Sequence, residues 1–422
     1  MTQIKRQASI TILGSGGGVA KAILSILNHA VKDNKDPLYE LLKTSEIHLI
    51  DIEQKTLYYY QNLFPNLSNK IYLYEQDLKD LTLFKEHLQK TKATIVIDAS
   101  WADTIEMLTC CNELGVSYVN SALENVEVDE DETLYGFPLS ERFNRFEDKK
   151  EQFNNTKAIV GSGMNPGVVQ WMAHELIKKH VDNPPLACYI VEHDTSFFSD
   201  KNLVKKDTIY TSWSVECFLD EAILSYPMFV SHHLPLYMYD EVYNTEFTVK
   251  LGNKKFQGCL MPHEEVLSLG KLYDMELGFI YRVSEHTTKL IRDNLYRVDD
   301  LWEWEHQLLD PEIGQIDGED LIGVLLVFED HEEYIYNVMN TKQIYPIYKT
   351  NATYFQVACG LYGGLASLLL DPIPNGAHYV DELLLHSNIK YGEYLSYYMQ
   401  DFVTGKNETS DGLLHQRIKR IT

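Results

Sequence analysis

The first thirty residues constrain the chain more than any other stretch. Ala8–Leu13 (ASITIL) is a short apolar run, and Gly14-Ser15-Gly16-Gly17-Gly18 follows at once. Val19, Ile23, Ile26 and Leu27 then recur at helical spacing. A strand, a glycine turn and a helix in that order open a parallel βαβ unit. Glycines there let the backbone turn tightly and approach a pyrophosphate, while the helix N-terminus offers N–H groups and positive potential. Gly14, Gly16, Gly17 and Gly18 are therefore read as a phosphate cradle. Val19 stands at the third fingerprint position, where Gly or Ala is usual. The plainer reading is the same turn with no nucleotide on it.

Further strand-like runs follow: Glu46–Asp51 (EIHLID), Ile71–Tyr74, Ala93–Asp98 (ATIVID) and Ser117–Asn120 (SYVN), with Thr104–Leu114 helical between the last two. Strands alternating with helices predict an α/β fold, an N-terminal Rossmann doubly wound parallel sheet. Asp51 ends the second strand, farther from Gly14 than the usual spacing of about 20. The polar loop Asp33–Pro37 accounts for the excess. A carboxylate there accepts ribose hydroxyls and repels a 2′-phosphate, which favours NAD over NADP. Its alternative is a solvated strand-end acid. Asp98-Ala99-Ser100 closes the fourth strand, where Asp98 and Ser100 either line the cofactor crevice or Asp98 caps the next helix. The loop Gly161–Gly167 (GSGMNPG) follows another strand, Ala158–Val160. Its Asn165 either holds an amide against nicotinamide or substrate, or belongs to a domain-junction turn.

The texture changes from about Leu186. Ala187–Val191, Glu246–Leu251, Phe279–Val283, Gly323–Phe328 and Glu333–Val338 read as short strands separated by turns. They predict a second α+β domain with a mixed sheet. Asn125–Asp148 is acidic and irregular, a surface excursion or an exposed helix. Asn351–Leu370 is a long apolar helix rich in small residues, fit to pack back on the first domain. The expected division is 1–165 for the nucleotide domain, completed by about 351–422, and 166–350 for the substrate domain.

Composition narrows the partners. The 37 basic and 62 acidic residues leave a net charge of −25, which repels nucleic acid and suits a cationic small molecule. Six scattered cysteines without a CxxC pair indicate neither a disulfide framework nor a zinc knuckle. The glycines and Lys21 break the nearest candidate for a signal segment, Ala8–Leu27, and no run of about 18 uninterrupted apolar residues offers a membrane span. A cytoplasmic location is the expectation. His232-His233 invites a metal, but no suitably spaced third ligand follows, so none is assigned.

Several segments carry a resemblance. They are Asp98-Ala99-Ser100 leading to Tyr118-Val119-Asn120-Ser121-Ala122-Leu123-Glu124, the Asn165-Pro166-Gly167 loop, and above all Thr211-Ser212-Trp213-Ser214-Val215-Glu216-Cys217-Phe218-Leu219-Asp220-Glu221. Pro262-His263-Glu264-Glu265, Asp320-Leu321-Ile322-Gly323-Val324-Leu325-Leu326 and Asn351-Ala352-Thr353 add to it. In these the chain resembles the saccharopine dehydrogenase-like superfamily and, within it, the bacterial homospermidine synthases. The resemblance implies a homodimer that keeps NAD bound. It also implies hydride removal from the carbon beside an amine of putrescine, loss of ammonia as a second amine attacks, and return of the hydride. Trp213 then matches the pocket tryptophan. Glu124, Glu192 and Glu221 match pocket acids, His263 a pocket histidine, Asp320 the acid before Gly-Val-Leu-Leu, and Asn165 the loop asparagine. Such a set is chemically apt, because a dication needs carboxylates and an aromatic face. The chain departs from that pattern at Asn125, Cys217 and Glu264, which bears on the choice of amine.

Each residue also has a plainer reading. Trp213 beside Phe218 can be core, Asp220 and Glu221 a solvated helix face, and His263 part of a surface turn. Two other functions compete. One is an NAD(P)H-dependent reductase making a carboxylated polyamine, saccharopine-type or opine-type product, with Lys205, Lys206 or Arg282 for the carboxylate. The other is an NAD-binding sensor without catalysis.

Overall fold

The computed structural model describes residues 8–420, which form two compact units. The first comprises the chain up to Glu127, Asn144–Gly167 and Phe355–Met399; the second comprises Val128–Phe143, Val168–Tyr354 and the tail from Gln400. The fold class is α/β, with a parallel sheet in one unit and a mixed sheet in the other.

The first unit holds a seven-stranded sheet in the order Gly376–Tyr379, Lys157–Val160, Ser117–Asn120, Ile95–Asp98, Ser9–Leu13, Glu46–Asp51, Ile71–Glu75. Every pairing is parallel. The strands read as continuous apolar runs because both faces are covered; Ser9–Leu13 and Ile95–Asp98 are buried throughout. From Ser9–Leu13 the chain winds outward to Ile71–Glu75, then returns to lay Ile95–Asp98 on the other side of the first strand. The carboxyl ends of those two neighbours are the topological switch point, where doubly wound sheets bind ligands.

The apolar helix expected near residue 351 spans Ala352–Leu370. It is long and apolar enough to cross a membrane, yet 78% of its apolar window is buried inside the protein. Its Gly360 and Gly364 let it press on the 161–163 loop. A Cβ at Gly360 would overlap the Gly163 carbonyl oxygen, and one at Gly364 the Ser162 hydroxyl. The Ser162 hydroxyl donates to the Gly360 carbonyl at 2.9 Å. The polar loop at Asp33–Pro37 is pinned by tyrosines from the same segment. Tyr362 and Tyr398 both donate to Asp36 at 2.6 Å, and Tyr397 donates to Asp33 at 2.5 Å.

The second unit holds a ten-stranded mixed sheet. Its main path runs Val403–Asn407, Glu332–Met339, Asp320–Val327, Ala187–Asp194, Glu276–Arg282, Lys254–Met261, Thr245–Leu251, Ile418–Arg420. Ala187–Asp194 pairs parallel with Glu276–Arg282 and antiparallel with Asp320–Val327. The sequence places the whole tail from 351 in the first unit, and here the structure differs. Val403–Asn407 and Ile418–Arg420 are strands of the second sheet. A fully buried ion pair between Arg417 and Glu332 fastens that tail, and Asn407 donates to Glu332 at 2.7 Å. The irregular segment at 125–148 also differs from a plain surface excursion. It contains the helix Pro138–Lys150, whose Leu139, Phe143 and Phe146 are buried.

Candidate functional sites

At the switch point of the first unit, backbone geometry does most of the work. Gly14 sits at φ +66°, and a Cβ there would lie 2.6 Å from the Ala99 carbonyl oxygen. Only glycine lets the first turn approach the turn after Ile95–Asp98 this closely. The helix Gly18–Ala30 begins at Gly17 with no side-chain cap, so its N-terminal potential is not spent on a neighbouring side chain. Val19 is the second residue of that helix. Asp51 is not a solvated strand-end acid. It accepts the Gly16 N–H at 2.7 Å on one oxygen and the Glu53 N–H at 3.0 Å on the other, tying the second strand to the cradle.

Asp98 is buried with both oxygens engaged. One accepts the N–H and hydroxyl of Ser100, at 3.0 and 2.6 Å, and the other accepts the Tyr118 hydroxyl at 2.8 Å. Burial raises its pKa despite those bonds. It organises the turn and does not cap the following helix, which Asp103 caps through the Glu106 N–H at 3.0 Å. Asp98, Ser100, Asn120 and Glu124 border one cleft. Thr104 fixes Glu124 beside it, since its hydroxyl accepts the Glu124 N–H and its N–H reaches the Glu124 carbonyl, both at 3.0 Å. Asn165 is half-buried in a loop where the Gly163 N–H meets the Pro166 carbonyl at 2.8 Å.

The second unit builds its site from the alternation of its strands. Along Ala187–Asp194, the residues Ala187, Tyr189 and Val191 enter a hydrophobic cluster with Ile280, Leu321 and Leu325. Ile190, Glu192 and Asp194 point to the opposite face. Register sets Tyr281 beside Glu192 and Asp320 opposite Asp194 on that same face. One chain of contacts joins three of the expected residues, Trp213, His263 and Glu221. The indole N–H of Trp213 donates to the Tyr281 hydroxyl at 3.2 Å. Tyr281 stacks on Phe279, with ring centroids 5.7 Å apart, and the His263 ring meets Phe279 at 4.7 Å. His263 Nε2 lies 3.7 Å from Glu221 Oε1, and its Nδ1 is bound to Glu265.

The plainer readings of these residues do not match their surroundings. Trp213 is half-buried and meets Phe218 edge to face at 6.2 Å. Glu221 is 8% exposed, and its neighbour Asp220 is bound to Arg142 at 2.7 Å, so neither is on a solvated face. His263 is buried. Burial pushes the Glu221 carboxyl up to about 8 against the pull of His263. For His263, burial is the largest influence and lowers its pKa. The carboxylates of Glu265, Glu221 and Glu264 together outweigh it and raise the ring to about 9. Burial also holds Asp194 above the ordinary carboxylate range, and Asp320 well above it.

The expected residues thus divide by unit. Glu124 and Asn165 stand on the first, while Trp213, Glu192, Glu221, His263 and Asp320 share one face of the second. Asp194, Glu265, Tyr281, Ser212 and Thr353 complete that face and were not singled out from sequence. Asp194 lies two residues beyond Glu192 on one strand, which is the same side, whereas Glu265 is the second residue of the helix Glu264–Leu272 that His263 precedes. His232 and His233, the pair that invites a metal, form the two-residue turn of the hairpin Met228–Ser231/Leu234–Tyr237, both at positive φ.

No family model matches the chain, and no curated protein matches it by sequence. Solved structures do match by shape. A homospermidine synthase from Legionella pneumophila, solved in complex with NAD, has 17% sequence identity and a TM-score of 0.71, covering 96% of this chain and 92% of that one. The apo saccharopine dehydrogenase (L-Glu forming) from Saccharomyces cerevisiae has 10% identity and a TM-score of 0.57, covering 94% and 100%. At these identities the likeness establishes architecture: the chain is folded as homospermidine synthase and saccharopine dehydrogenase are.

Proposed function

We propose that this chain is an NAD-dependent enzyme of amine metabolism that transfers the aminobutyl group of putrescine to a second amine, as homospermidine synthases do. The observation that carries the proposal is the acid-lined face of the second unit, with Glu221 and Glu265 buried against His263, Glu192 buried beside Tyr281, and the half-buried indole of Trp213 on that tyrosine. Buried carboxylates are costly without cationic company. A diammonium chain brings two positive charges to such a face, and its carbons suit the indole of Trp213.

The first unit fits a dinucleotide. Gly14 lets the glycine turn sit directly against the Ala99–Ser100 turn, the helix above it starts without a side-chain cap, and Asp51 is already turned to the glycine loop. NAD held there would take a hydride from the amine-bearing carbon of one diamine and return it after the amines exchange, giving ammonia and homospermidine with no net oxidation. The protein's own residues manage cations and protons. Glu265 accepts the Nδ1–H of His263, and Nε2 faces Glu221 Oε1 at 3.7 Å, an ion-pair distance. An amine must be neutral before hydride leaves its carbon, and this pair can take up the proton its ammonium gives up once Glu221 has lost its own, which its value of about 8 puts on the alkaline side.

The reductase reading needs a guanidinium or ammonium ion for a substrate carboxylate. Arg282 alternates to the side of the strand opposite Tyr281 and is bound to Glu246 and Glu285, while Lys205 and Lys206 are exposed and Lys205 is bound to Glu305. That favours a diamine. The test is incubation of the protein with putrescine and NAD, followed by amine chromatography. A longer polyamine and ammonia in equal amounts are expected. The absence of any longer polyamine at saturating diamine overturns the proposal.

A further inference from the structure

Below Trp213 lies a second group of acids for which the proposed reaction has no use. Asp194 and Asp320 face each other on paired strands, 1% and 0% exposed. Two hydroxyls join them. Ser212 Oγ is 2.6 Å from Asp194 Oδ2, Thr353 Oγ1 is 2.8 Å from Ser212 Oγ, and Thr353 Oγ1 is 2.6 Å from Asp320 Oδ2. These are three oxygen–oxygen contacts at hydrogen-bond length, and each needs one proton. Two hydroxyls supply two protons. With both acids ionised, one contact would have no proton, and two carboxylates would face each other in a dry interior.

We propose that Asp320 is a neutral carboxylic acid whose proton completes a one-way relay, Asp320 to Thr353 to Ser212 to the Asp194 carboxylate, and that this relay fixes the loop carrying Trp213. The direction follows from the surroundings of the two acids. Asp194 also accepts the Ser196 N–H at 2.8 Å, so its charge is solvated by the protein. Among the described residues Asp320 Oδ1 has no hydrogen-bond partner, which a neutral carbonyl oxygen tolerates far better than an anionic one. Burial and the charge of Asp194 both favour the protonated form of Asp320.

The consequence for Trp213 is one of position. Ser212 is its chain neighbour, and the Ser212 carbonyl accepts the Asn351 amide at 2.6 Å. The Thr211 hydroxyl donates to the Trp213 carbonyl at 2.6 Å. The relay holds this loop from below, and Asp194, Ser212, Thr353 and Asp320 act as positioning residues. It stands whether or not the face above turns over an amine, so its test does not depend on turnover.

The test is a pair of conservative amides and their combination. In Asp320→Asn the new side-chain amide can donate to Thr353 as the acid does, so this variant should keep Tm within roughly 2 °C of the parent. In Asp194→Asn the amide cannot accept both the Ser196 N–H and the Ser212 O–H as the carboxylate does. That variant should therefore lose roughly 5–10 °C in Tm. Asp194→Asn/Asp320→Asn should lose no more than Asp194→Asn alone, because the amide at position 320 replaces the neutral acid in the relay at little cost. Infrared difference spectroscopy, parent minus Asp320→Asn, should show the carbonyl stretch of a protonated carboxylic acid. Acrylamide quenching of the emission component absent from Trp213→Phe should rise in Asp194→Asn. A parent without the acid band, a rise in Tm for both single amides, or equal losses for both would overturn the relay. Unchanged quenching would overturn the positioning of Trp213. If Asp194→Asn does not fold, the infrared spectrum of Asp320→Asn and the melting of the double variant still decide.

Discussion

In the first unit the candidate site is made of backbone. A glycine with positive φ, an uncapped helix start and one carboxylate turned onto an N–H form it, and its neighbours are brought close by what they lack. In the second unit the site is made of side chains from strands and helices spread between residues 192 and 353, held by ion pairs and hydroxyls at 2.6 to 3.7 Å. The difference predicts opposite sensitivities. The first site should fail when atoms are added and the second when atoms are removed or a proton is misplaced.

The largest effect should come from adding one methyl group. Gly360→Ala sets a Cβ onto the Gly163 carbonyl, backbone against backbone, with no flexible side chain to yield. Overpacking of this kind should destabilise the first unit by about 3 kcal/mol or more. Chemical denaturation of the variant checks it. A loss under about 1 kcal/mol would mean that the helix and the loop slide apart easily, and the contrast between the units would weaken.

Removing atoms is the reciprocal experiment. Trp213→Ala should leave calorimetric binding of NAD unchanged and reduce diamine processing roughly 30-fold, the equivalent of about 2 kcal/mol of desolvated cation–π attraction. Equal loss of both would assign Trp213 to folding.

Protons give the next effect. Glu221 and His263 both hold a proton more tightly folded than unfolded, at about 8 and about 9 against ordinary values of 4.5 and 6.5. Groups with raised folded values stabilise fully below their unfolded pKa, and that contribution is lost as pH rises through the folded value. Stability should therefore fall as pH rises from about 4.5 to 9, most steeply between about 6.5 and 8, where both groups contribute. The slope reaches about 1.4 kcal/mol per pH unit for each extra proton the native state holds. Glu221→Gln should flatten it. Melting curves across the range decide, and a parent without the slope would refute the raised values.

The same contrast explains what the sequence could disclose. The cradle was legible because its chemistry is local: Gly14 to Val19 is one stretch, and the strand before it and the helix after it are its immediate context. Trp213 and Glu221 were legible through one resembling segment. Asp194 and Tyr281 were not, because their place depends on register between strands far apart in the chain, and no spacing in the sequence encodes a register. The tail beyond Gln400 escaped for a related reason. Its short polar strands, Val403–Asn407 and Ile418–Arg420, lie at the two ends of the sheet and are held by Arg417 on Glu332, a partner far upstream. Asp98 was read as either crevice or cap, and the deciding partner, Tyr118, comes from the next strand.

The smallest effect sharpens the comparison most, because it changes a side chain in the unit built from backbone. Asp51→Asn keeps an acceptor for the Gly16 N–H and removes the negative charge. If the cradle binds mainly through glycines and helix terminus, NAD should weaken only about tenfold, the worth of a charge-assisted hydrogen bond or two. NADP should bind better than it does to the parent, since its 2′-phosphate no longer meets a carboxylate. Titration calorimetry with both nucleotides reads the two changes together. Loss of all nucleotide binding in a folded variant would show that Asp51 carries the site, and the first unit would then resemble the second in depending on one charged side chain.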